Sequence, residues 1–366
     1  MLLESEIKHF AKEVGIDVIR FTTAEPFEKT ALHLKELLKS GYIPSHWKVA
    51  EFDSFCNPKS VLPEAKSIIV AAECYLTSEP EDLTKPGEPY GRIARYTWRN
   101  YYYDLKKRLE KVAKFLRKEV GKQSKFKVYS CGAVAEKPMA QRSGLGWYGK
   151  HGIILTEEFG SRIVLGEIIT NVELKPDELL EKDCGECVAC IKSCPTGAIV
   201  NPAPLQRCGV KLYILDVSKC LQYLTNRRGV LPVEYREVWG NRLYGCTTCQ
   251  DVCPKNAGVL PKERKPKYGE VGSCLPLIPL LEMTEEEYRT KYKNNQMTTR
   301  WIHFDCIKRN AVIALGNIGD SVAVPVLKEM LKDKNPMVRT HATWALEKII
   351  KKRKVELIRK NSGVNS

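Results

Sequence analysis

The sequence contains few of the features that mark membrane proteins, secreted proteins or histidine-based metalloenzymes. No apolar run approaches the roughly 20 residues that span a bilayer, so we expect no membrane association. The first residues include acidic side chains and no apolar segment typical of a secretory signal, so a cytoplasmic protein is expected. Only six histidines occur in 366 residues, and they form no HExxH or similar ligand spacing. A histidine-based zinc or haem enzyme is therefore disfavoured.

Basic residues outnumber acidic ones, which gives a formal net charge of +15 at neutral pH. Such a charge favours an anionic partner, and nucleic acid is the first candidate. The alternative is a solvated basic surface with no partner, as in proteins rich in Lys and Glu. A hydrophobic content of 43% is enough for packed cores and excludes a largely disordered chain.

Two short runs contain seven of the 14 cysteines. The first run has the spacing C-x2-C-x2-C-x3-C-P and the second C-x2-C-x3-C-P; they contain Cys184, Cys187, Cys190 and Cys194, then Cys246, Cys249 and Cys253. The first spacing is that of bacterial ferredoxins with two [4Fe–4S] clusters, in which the fourth cysteine binds the other cluster. We therefore expect one cluster on Cys184, Cys187, Cys190 and Cys253, and another on Cys194, Cys246, Cys249 and one more thiolate.

The fourth ligand of the second cluster is left open by the spacing. Cys208 and Cys220 both lie between the two runs. Structural zinc is an alternative for such C-x-x-C pairs, although three cysteines at two-residue gaps followed by Cys-Pro are not typical of zinc ribbons. Disulfides are disfavoured because no secretory signal is visible.

Hydrophobic periodicity predicts alternating helices and strands in the first half of the chain. Helices are predicted at 5–14, 31–38 and 104–120, and strands at 67–72, 127–129, 152–155 and 163–169. This alternation predicts an α/β or α+β first domain. From residue 306 the pattern is helical. The residue pattern of 308–315 recurs at 339–346, at a spacing typical of HEAT-like repeats.

These patterns divide the chain into four segments. We predict a first domain at 1–175, a ferredoxin-like domain with two clusters at 176–260, a connector at 261–300, and a helical HEAT-like domain at 301–366. The connector is predicted because residues 254–279 are rich in Pro and Lys.

The segment 144–150 (GLGWYGK) matches both G-x-G-x-x-G and G-x-x-x-x-G-K. A helical pattern precedes it where a dinucleotide fold needs a strand, and His151 stands where a P-loop needs Ser or Thr. We therefore interpret it as a glycine-rich turn that lets the backbone approach a large ligand.

Several motifs, taken in order, resemble the epoxyqueuosine reductase family over nearly the whole chain. They are 91–96 (GRIARY), 143–150 (SGLGWYGK), 165–168 (LGEI), 194–199 (CPTGAI), 220–225 (CLQYLT) and 240–246 (GNRLYGC).

The resemblance implies an oxidoreductase that converts epoxyqueuosine to queuosine in the tRNA anticodon loop, using two [4Fe–4S] clusters and cobalamin. It implies an α+β fold with a nitroreductase-like cobalamin-binding domain, a ferredoxin-like domain and a HEAT-like tail that helps to bind tRNA. By the same resemblance, Cys220 is the missing ligand of the second cluster and Cys208 is an extra residue. No D-x-H-x-x-G motif is present, so base-off cobalamin is expected. The implied cobalamin contacts are Ile93, Ser130, Lys150, His151, Ile154 and Leu165.

Three positions depart from the family pattern. Ser130 stands where the family usually has an aspartate that donates a proton, and 101–103 (YYY) replaces the usual Asp-Tyr-His. A serine is a poor general acid, so Tyr101, Tyr103 and Cys131 are candidates for the proton donor in addition to Ser130. The alternative role for these three residues is packing around the corrin ring.

The departures leave more than one function open. Besides an epoxyqueuosine reductase, the chain is compatible with a paralogue that uses the same cofactors on another substrate, or with a corrinoid-handling electron carrier. For the first function we expect a monomer that binds tRNA and takes electrons from an external donor.

Overall fold

The computed structural model describes residues 3–200 and 213–361, without the side chains of residues 50 and 356–361. The helices are α1 (Leu3–Glu13), α2 (Glu28–Lys39), α3 (Val49–Phe55), α4 (Tyr101–Val120), α5 (Glu136–Arg142), α6 (Ala189–Ser193), α7 (Leu221–Asn226), α8 (Val233–Glu237), α9 (Thr248–Asp251), α10 (Leu277–Glu282), α11 (Glu285–Lys291), α12 (Phe304–Ile318), α13 (Val324–Met330) and α14 (Pro336–Asn361). The strands are β1 (Val18–Thr23), β2 (Ser67–Cys74), β3 (Tyr90–Ile93), β4 (Phe126–Tyr129), β5 (Trp147–Tyr148), β6 (Ile154–Leu155), β7 (Ile163–Thr170), β8 (Ile199–Val200), β9 (Ile214–Leu215), β10 (Arg242–Tyr244) and β11 (Cys274–Pro276).

The chain forms two compact units, each assembled from segments that are distant in sequence. The first unit comprises residues 1–78, 100–218 and 248–268, and the second comprises 79–99, 219–247 and 269–366. The four predicted segments are continuous in sequence, so they describe a different division of the chain and remain predictions. Within the described residues, no helix combines the length and the apolar character needed to cross a membrane.

The first unit is built on an antiparallel sheet with the strand order β1-β2-β7-β4. Every residue of β2 and β7 is buried, because both strands are nearly continuous apolar runs with the sheet covered on both faces. Helix α4 packs on β7 through Leu105 and Leu109, whose side chains approach the backbone at Gly166. A side chain at Gly166 would collide with Leu109, so the close approach of helix and strand requires glycine there.

Helix α4 begins three residues before its predicted start. The side chain of Asn100 accepts a hydrogen bond from the backbone N–H of Tyr103, and the helix ends at Gly121, which has a φ of 94°. The asparagine cap makes the first turn helical even though it consists of three tyrosines, which are moderate helix formers. The predicted helices at 5–14 and 31–38 and the strands at 67–72, 127–129 and 163–169 are confirmed within a few residues.

Strand β6 is shorter than the predicted strand at 152–155. The structure has strand geometry only at Ile154 and Leu155, which pair with Tyr148 and Trp147 of β5. Gly152 has a φ of 74°, a left-handed conformation that cannot continue a strand. The preceding residues therefore form a turn.

The second unit combines a small sheet of order β10-β3-β11 with the C-terminal helices. Its core joins the sheet residues Ile93, Leu243 and Leu275 to apolar residues of α10, α12, α13 and α14. Helix α12 is buried over most of its length and ends at Gly319, whose φ of 74° allows the left-handed cap. The mixture of mostly antiparallel strand pairs, with β10 and β3 parallel, and separate helices confirms the α+β class.

The segment predicted as a connector contains regular structure. It includes strand β11 and helices α10 and α11, and Leu277, Leu280 and Leu281 of α10 are buried in the core of the second unit. Pro279 does not disrupt α10 because it lies in the first turn, where the backbone N–H has no helical partner.

Candidate active site and cluster-binding cysteines

The first predicted set of cluster ligands converges in the first unit. Cys184, Cys187 and Cys190 lie before and within α6, and Cys253 follows α9, which packs on α6. Burial, together with the charges of Cys184, Cys253 and Cys187, raises the pKa of the Cys190 thiol to about 11. Burial and the charges of Cys184 and Cys187 raise the pKa of the Cys253 thiol in the same direction, so the four sulfur atoms lie near one another, as a [4Fe–4S] cluster requires. The residues present therefore fit the predicted cluster.

Lys150 supports the loop that carries these cysteines. Its ammonium group donates to the backbone carbonyls of Gly185 at 2.6 Å and Cys187 at 2.9 Å, and lies 4.7 Å from the ring centre of Tyr213. The positively charged ammonium group thus binds two carbonyl oxygens in the loop that contains Cys184 and Cys187. The cobalamin contact expected for Lys150 remains a prediction.

The second predicted ligand set is divided between the units. Cys194 and Cys249 belong to the first unit, and Cys220 and Cys246 to the second. The sulfur of Cys194 accepts a hydrogen bond from the backbone N–H of Ala198 at 3.3 Å, a contact common for cluster thiolates. Cys208, the other candidate, lies outside the described residues. The assignment of Cys220 therefore remains a prediction.

Ser130 lies at the end of β4, where its hydroxyl donates a hydrogen bond to the carbonyl oxygen of Leu165 at 2.6 Å. The structure thus brings together two residues predicted at the cobalamin site. Because the hydroxyl proton is engaged by a backbone carbonyl, Ser130 is placed to accept rather than to donate a hydrogen bond.

The two tyrosines predicted as proton donors have different environments. Tyr101 is buried at the start of α4, and its ring centre lies 6.0 Å from that of Tyr75. Tyr103 is 36% exposed, stacks on Tyr268 with ring centres 3.9 Å apart, and has the ammonium group of Lys107 5.3 Å from its ring. These contacts favour a packing role for Tyr103, and the catalytic role of both residues remains a prediction.

Two glutamates that the sequence reasoning did not select lie beside Ser130. Glu136 begins α5, and its carboxylate accepts a hydrogen bond from the backbone N–H of Cys131. Glu167 lies in β7, paired with Tyr129 of β4, and is fully buried. Within the described residues, neither carboxyl oxygen of Glu167 has a hydrogen-bond partner. A carboxyl group in the otherwise apolar run of β7 was the sequence signal that could have identified this residue.

The two carboxyl groups interact with each other. Burial raises the pKa of Glu136 to about 7, against the opposing effect of the hydrogen bond from Cys131 and the charge of Lys137. Burial, and then the charge of Glu136, raises the pKa of Glu167 well above its ordinary value. Although Cys131 is exposed as a residue, desolvation of its sulfur and both glutamate charges raise its pKa to about 11. At neutral pH the carboxyl pair therefore keeps at least one proton, and the Cys131 thiol stays protonated.

The glycine-rich segment is connected to this carboxyl pair through α5. The ammonium group of Lys137, next to Glu136, donates to the carbonyl oxygen of Gly152 at 2.7 Å. Ile154 and Leu165 belong to one buried apolar cluster that also contains residues of α5. The structure thus gathers Ser130, Ile154 and Leu165 around β7 and α5. Ile93 instead lies in β3 of the second unit, and its role remains a prediction.

Two buried donors on the glycine-rich segment have no partner in the described part of the chain. They are Nε1 of Trp147 and Nε2 of His151, whose residues are 4% and 3% exposed. Nδ1 of His151 accepts from the backbone N–H of Ile153 at 3.2 Å, and burial lowers the pKa of the imidazole to about 4. His151 is therefore neutral with its proton on Nε2. Buried donors of this kind suit the amide-rich edge of a corrin ring, so the residues fit the expected cofactor.

The glycines of this segment have a different explanation from the expected one. A side chain at Gly144, which has a φ of 67°, would collide with the backbone carbonyl of Glu178, and one at Gly146 would collide with that of Leu155. These two glycines therefore permit close packing within the chain itself, and the expected close approach of a large ligand remains a prediction.

Three family models match parts of the chain. A 4Fe-4S double cluster binding domain matches residues 183–256, the family described as "Epoxyqueuosine reductase QueG, DUF1730" matches 56–130, and HEAT repeats match 305–363. The predicted two-cluster domain and the HEAT-like C-terminal region are thereby confirmed.

Curated relatives match over nearly the full length. The epoxyqueuosine reductase of Bacillus cereus is 36% identical over 353 residues, which cover 95% of this chain and 89% of the relative. That of Escherichia coli is 30% identical over 360 residues, covering 96% and 90%.

Solved structures match equally well. A crystal structure of an epoxyqueuosine reductase with an epoxyqueuosine-modified tRNA-Tyr stem loop superimposes with a TM-score of 0.84 at 32% identity, covering 100% of this chain and 95% of that one. The Bacillus subtilis enzyme, solved with its catalytic aspartate loop swung out of the active site, gives a TM-score of 0.84 at 34% identity, covering 95% and 90%.

Proposed function

Because the chain belongs to the epoxyqueuosine reductase family, we propose that it reduces epoxyqueuosine to queuosine in tRNA. The observation that carries the proposal is the full-length match to a relative solved with an epoxyqueuosine-modified tRNA stem loop. The net charge of +15 suits a polyanionic substrate. We further propose that the protein acts as a cytoplasmic monomer supplied by an external electron donor.

The proposed cofactors are two [4Fe–4S] clusters and base-off cobalamin. One cluster is assigned to Cys184, Cys187, Cys190 and Cys253, and the other to Cys194, Cys220, Cys246 and Cys249. Cobalamin would be held by the glycine-rich segment with Ser130, Lys150, His151, Ile154 and Leu165, and by Ile93. Bound cobalamin supplies the reducing chemistry at the substrate carbon, while the protein supplies orientation, exclusion of water and protons.

The reaction consumes two electrons and two protons and releases the epoxide oxygen as water, so a proton must reach that oxygen. Ser130 is a poor donor because its hydroxyl already bonds to Leu165 and its ordinary pKa is far above neutral. Glu136 and Glu167 retain a proton at neutral pH beside this position. We assign to this pair the proton that an aspartate supplies in the family pattern, with Ser130 positioning the oxygen as a hydrogen-bond acceptor or relay.

An anaerobic turnover assay tests the function. Cluster-reconstituted protein is mixed with cobalamin, a strong chemical reductant and tRNA containing epoxyqueuosine, and the digested nucleosides are analysed by mass spectrometry. We expect queuosine to accumulate with repeated turnovers. If cobalamin and both clusters are demonstrably bound and no queuosine forms, the proposed substrate is wrong and a paralogous reductase acting on another substrate replaces it.

A further inference from the structure

An asparagine of the HEAT-like region joins two segments that carry predicted cluster ligands. Asn310 lies in α12 and is fully buried. Its side-chain amide donates to the carbonyl oxygen of Thr225 at 2.9 Å and to that of Leu243 at 2.9 Å. Thr225 lies in α7, which begins directly after Cys220, and Leu243 lies in β10, three residues before Cys246. One side chain thus uses both of its donor hydrogens to connect the two ligand segments.

Thr225 makes a second connection between the same segments. Its hydroxyl donates to the carbonyl of Gln222 at 2.8 Å and accepts from the backbone N–H of Gly245 at 3.0 Å. Gly245, next to Cys246, has a φ of 73°, and a side chain there would collide with Tyr96. Contacts within the second unit therefore fix the backbone conformation at Gly245, which positions Cys246.

Arg309 completes the arrangement. Its guanidinium group is fully buried and donates to the carbonyls of Leu224 at 2.7 Å, Arg227 at 2.5 Å and Gly229 at 3.2 Å. It also donates to Oδ1 of Asn310 at 2.8 Å, which orients the amide so that its NH2 group faces the two carbonyls. In the described part of the chain, all its partners are uncharged. Burial lowers the pKa of Arg309 to about 10, against the charge of Cys306, which raises it, so the guanidinium group stays charged at neutral pH and is held by oxygen acceptors.

We propose that Arg309 and Asn310 are positioning residues that hold the segments of Cys220 and Cys246 in register, so that α12 is part of the framework of the second [4Fe–4S] cluster. The HEAT-like region then has a role in the electron-transfer module in addition to any role in binding tRNA. A cluster needs its thiolates preorganised, and the groups that orient ligands affect occupancy and potential almost as strongly as the ligands do. This inference rests on the proposed ligand set and is independent of the substrate.

The test compares two matched substitutions in the same helix. Asn310→Asp keeps the size of the side chain and the contact with Arg309 but removes both donors to Thr225 and Leu243. Asn317 is the control: its amide donates to the carbonyls of Arg236 and Gly240, and its oxygen accepts from Lys348. Asn317→Asp therefore makes the same chemical change where no predicted ligand segment is joined.

Both full-length variants are reconstituted anaerobically, and their iron content and the EPR signals of the reduced clusters are measured. With two [4Fe–4S] clusters the wild type holds about eight iron atoms. We expect Asn310→Asp to lose about half of the iron and one of the two cluster signals, while Asn317→Asp keeps both. Full iron content with unchanged signals in Asn310→Asp, or an equal loss in both variants, would overturn the proposal.

A milder variant covers the case in which Asn310→Asp does not fold. Thr225→Val keeps the shape of the side chain but removes the acceptor for Gly245, so the fold is retained while Cys246 is held less firmly. We expect one cluster to lose iron to a chelator several times faster than in the wild type and to change its reduction potential. Unchanged iron release and potential in a folded Thr225→Val protein would also contradict the proposed framework.

Discussion

At the scale of single residues, the proton donors proposed for this protein differ from the family pattern. The family resemblance predicts Ser130 at the position of the aspartate, and the structure places Glu136 of α5 and Glu167 of β7 against the neighbouring residues Cys131 and Tyr129. The sequence revealed the replacement, because it lies within a recognisable motif. It did not reveal the carboxyl pair, because the two glutamates are 31 residues apart and meet only after β4, α5 and β7 have folded together.

The raised pKa values predict how stability depends on pH. A carboxyl group whose pKa is higher in the folded than in the unfolded state binds its proton more tightly when folded. Its stabilising contribution is complete below the unfolded value, about 4.5, and is lost as the pH rises through about 7 for Glu136 and through the raised pKa of Glu167. We expect the free energy of unfolding to fall by on the order of 2 kcal/mol between pH 5 and pH 8 from this source.

Urea unfolding at pH 5, 7 and 8 measures this dependence, with Glu167→Gln as the test variant. Glutamine cannot ionise, so the part of the decline that comes from Glu167 should disappear in Glu167→Gln, while the part that comes from the burial of Glu136 should remain. Glu173→Gln, at an exposed position just beyond β7, is the matched control and should keep the wild-type dependence. An identical pH dependence in wild type and Glu167→Gln would show that Glu167 does not titrate as inferred.

At the scale of secondary-structure elements, long periodic segments were predictable and short elements were not. Strands β2 and β7 and helix α4 follow from apolar patterns that tertiary packing reinforces. Helices α10 and α11 were missed because four prolines between residues 261 and 279 favour an irregular connector, a prediction that was extended to residue 300. The local signal was nevertheless present: Thr284 and Glu287 form a capping box at the start of α11, the S/T-x-x-E pattern that marks a helix N-terminus.

The capping box gives a prediction at this scale. The hydroxyl of Thr284 accepts from the backbone N–H of Glu287, and the carboxylate of Glu287 accepts from the backbone N–H of Thr284. Thr284→Ala removes the side-chain cap and should lower the free energy of unfolding by about 1 kcal/mol. Thr290→Ala, an exposed position in the same helix, is the control and should be neutral or slightly stabilising. Equal urea midpoints for the two variants would argue against the cap.

At the scale of the whole molecule, cysteine spacing predicted the two-cluster module but not the residues that support it. Spacing rules concern ligands that are close in sequence, whereas Asn310 contacts the ligand segments from 67 and 85 residues away. Composition alone likewise does not predict the two units, because each unit combines segments that composition would assign to separate regions. Full-length similarity to the reductases is the basis for the proposed substrate. The structure of this chain adds the placement of the carboxyl pair.

We propose that this chain performs the family's reduction with a carboxyl pair in place of the aspartate. The most direct test is anaerobic formation of queuosine by wild type, Glu136→Gln and Glu167→Gln, measured from pH 5.5 to 8.5. We predict that the wild type loses activity above about pH 7, as Glu136 ionises, and that each variant is at least tenfold slower with both clusters and cobalamin retained. Wild-type rates and an unchanged pH profile in both variants would contradict the claim.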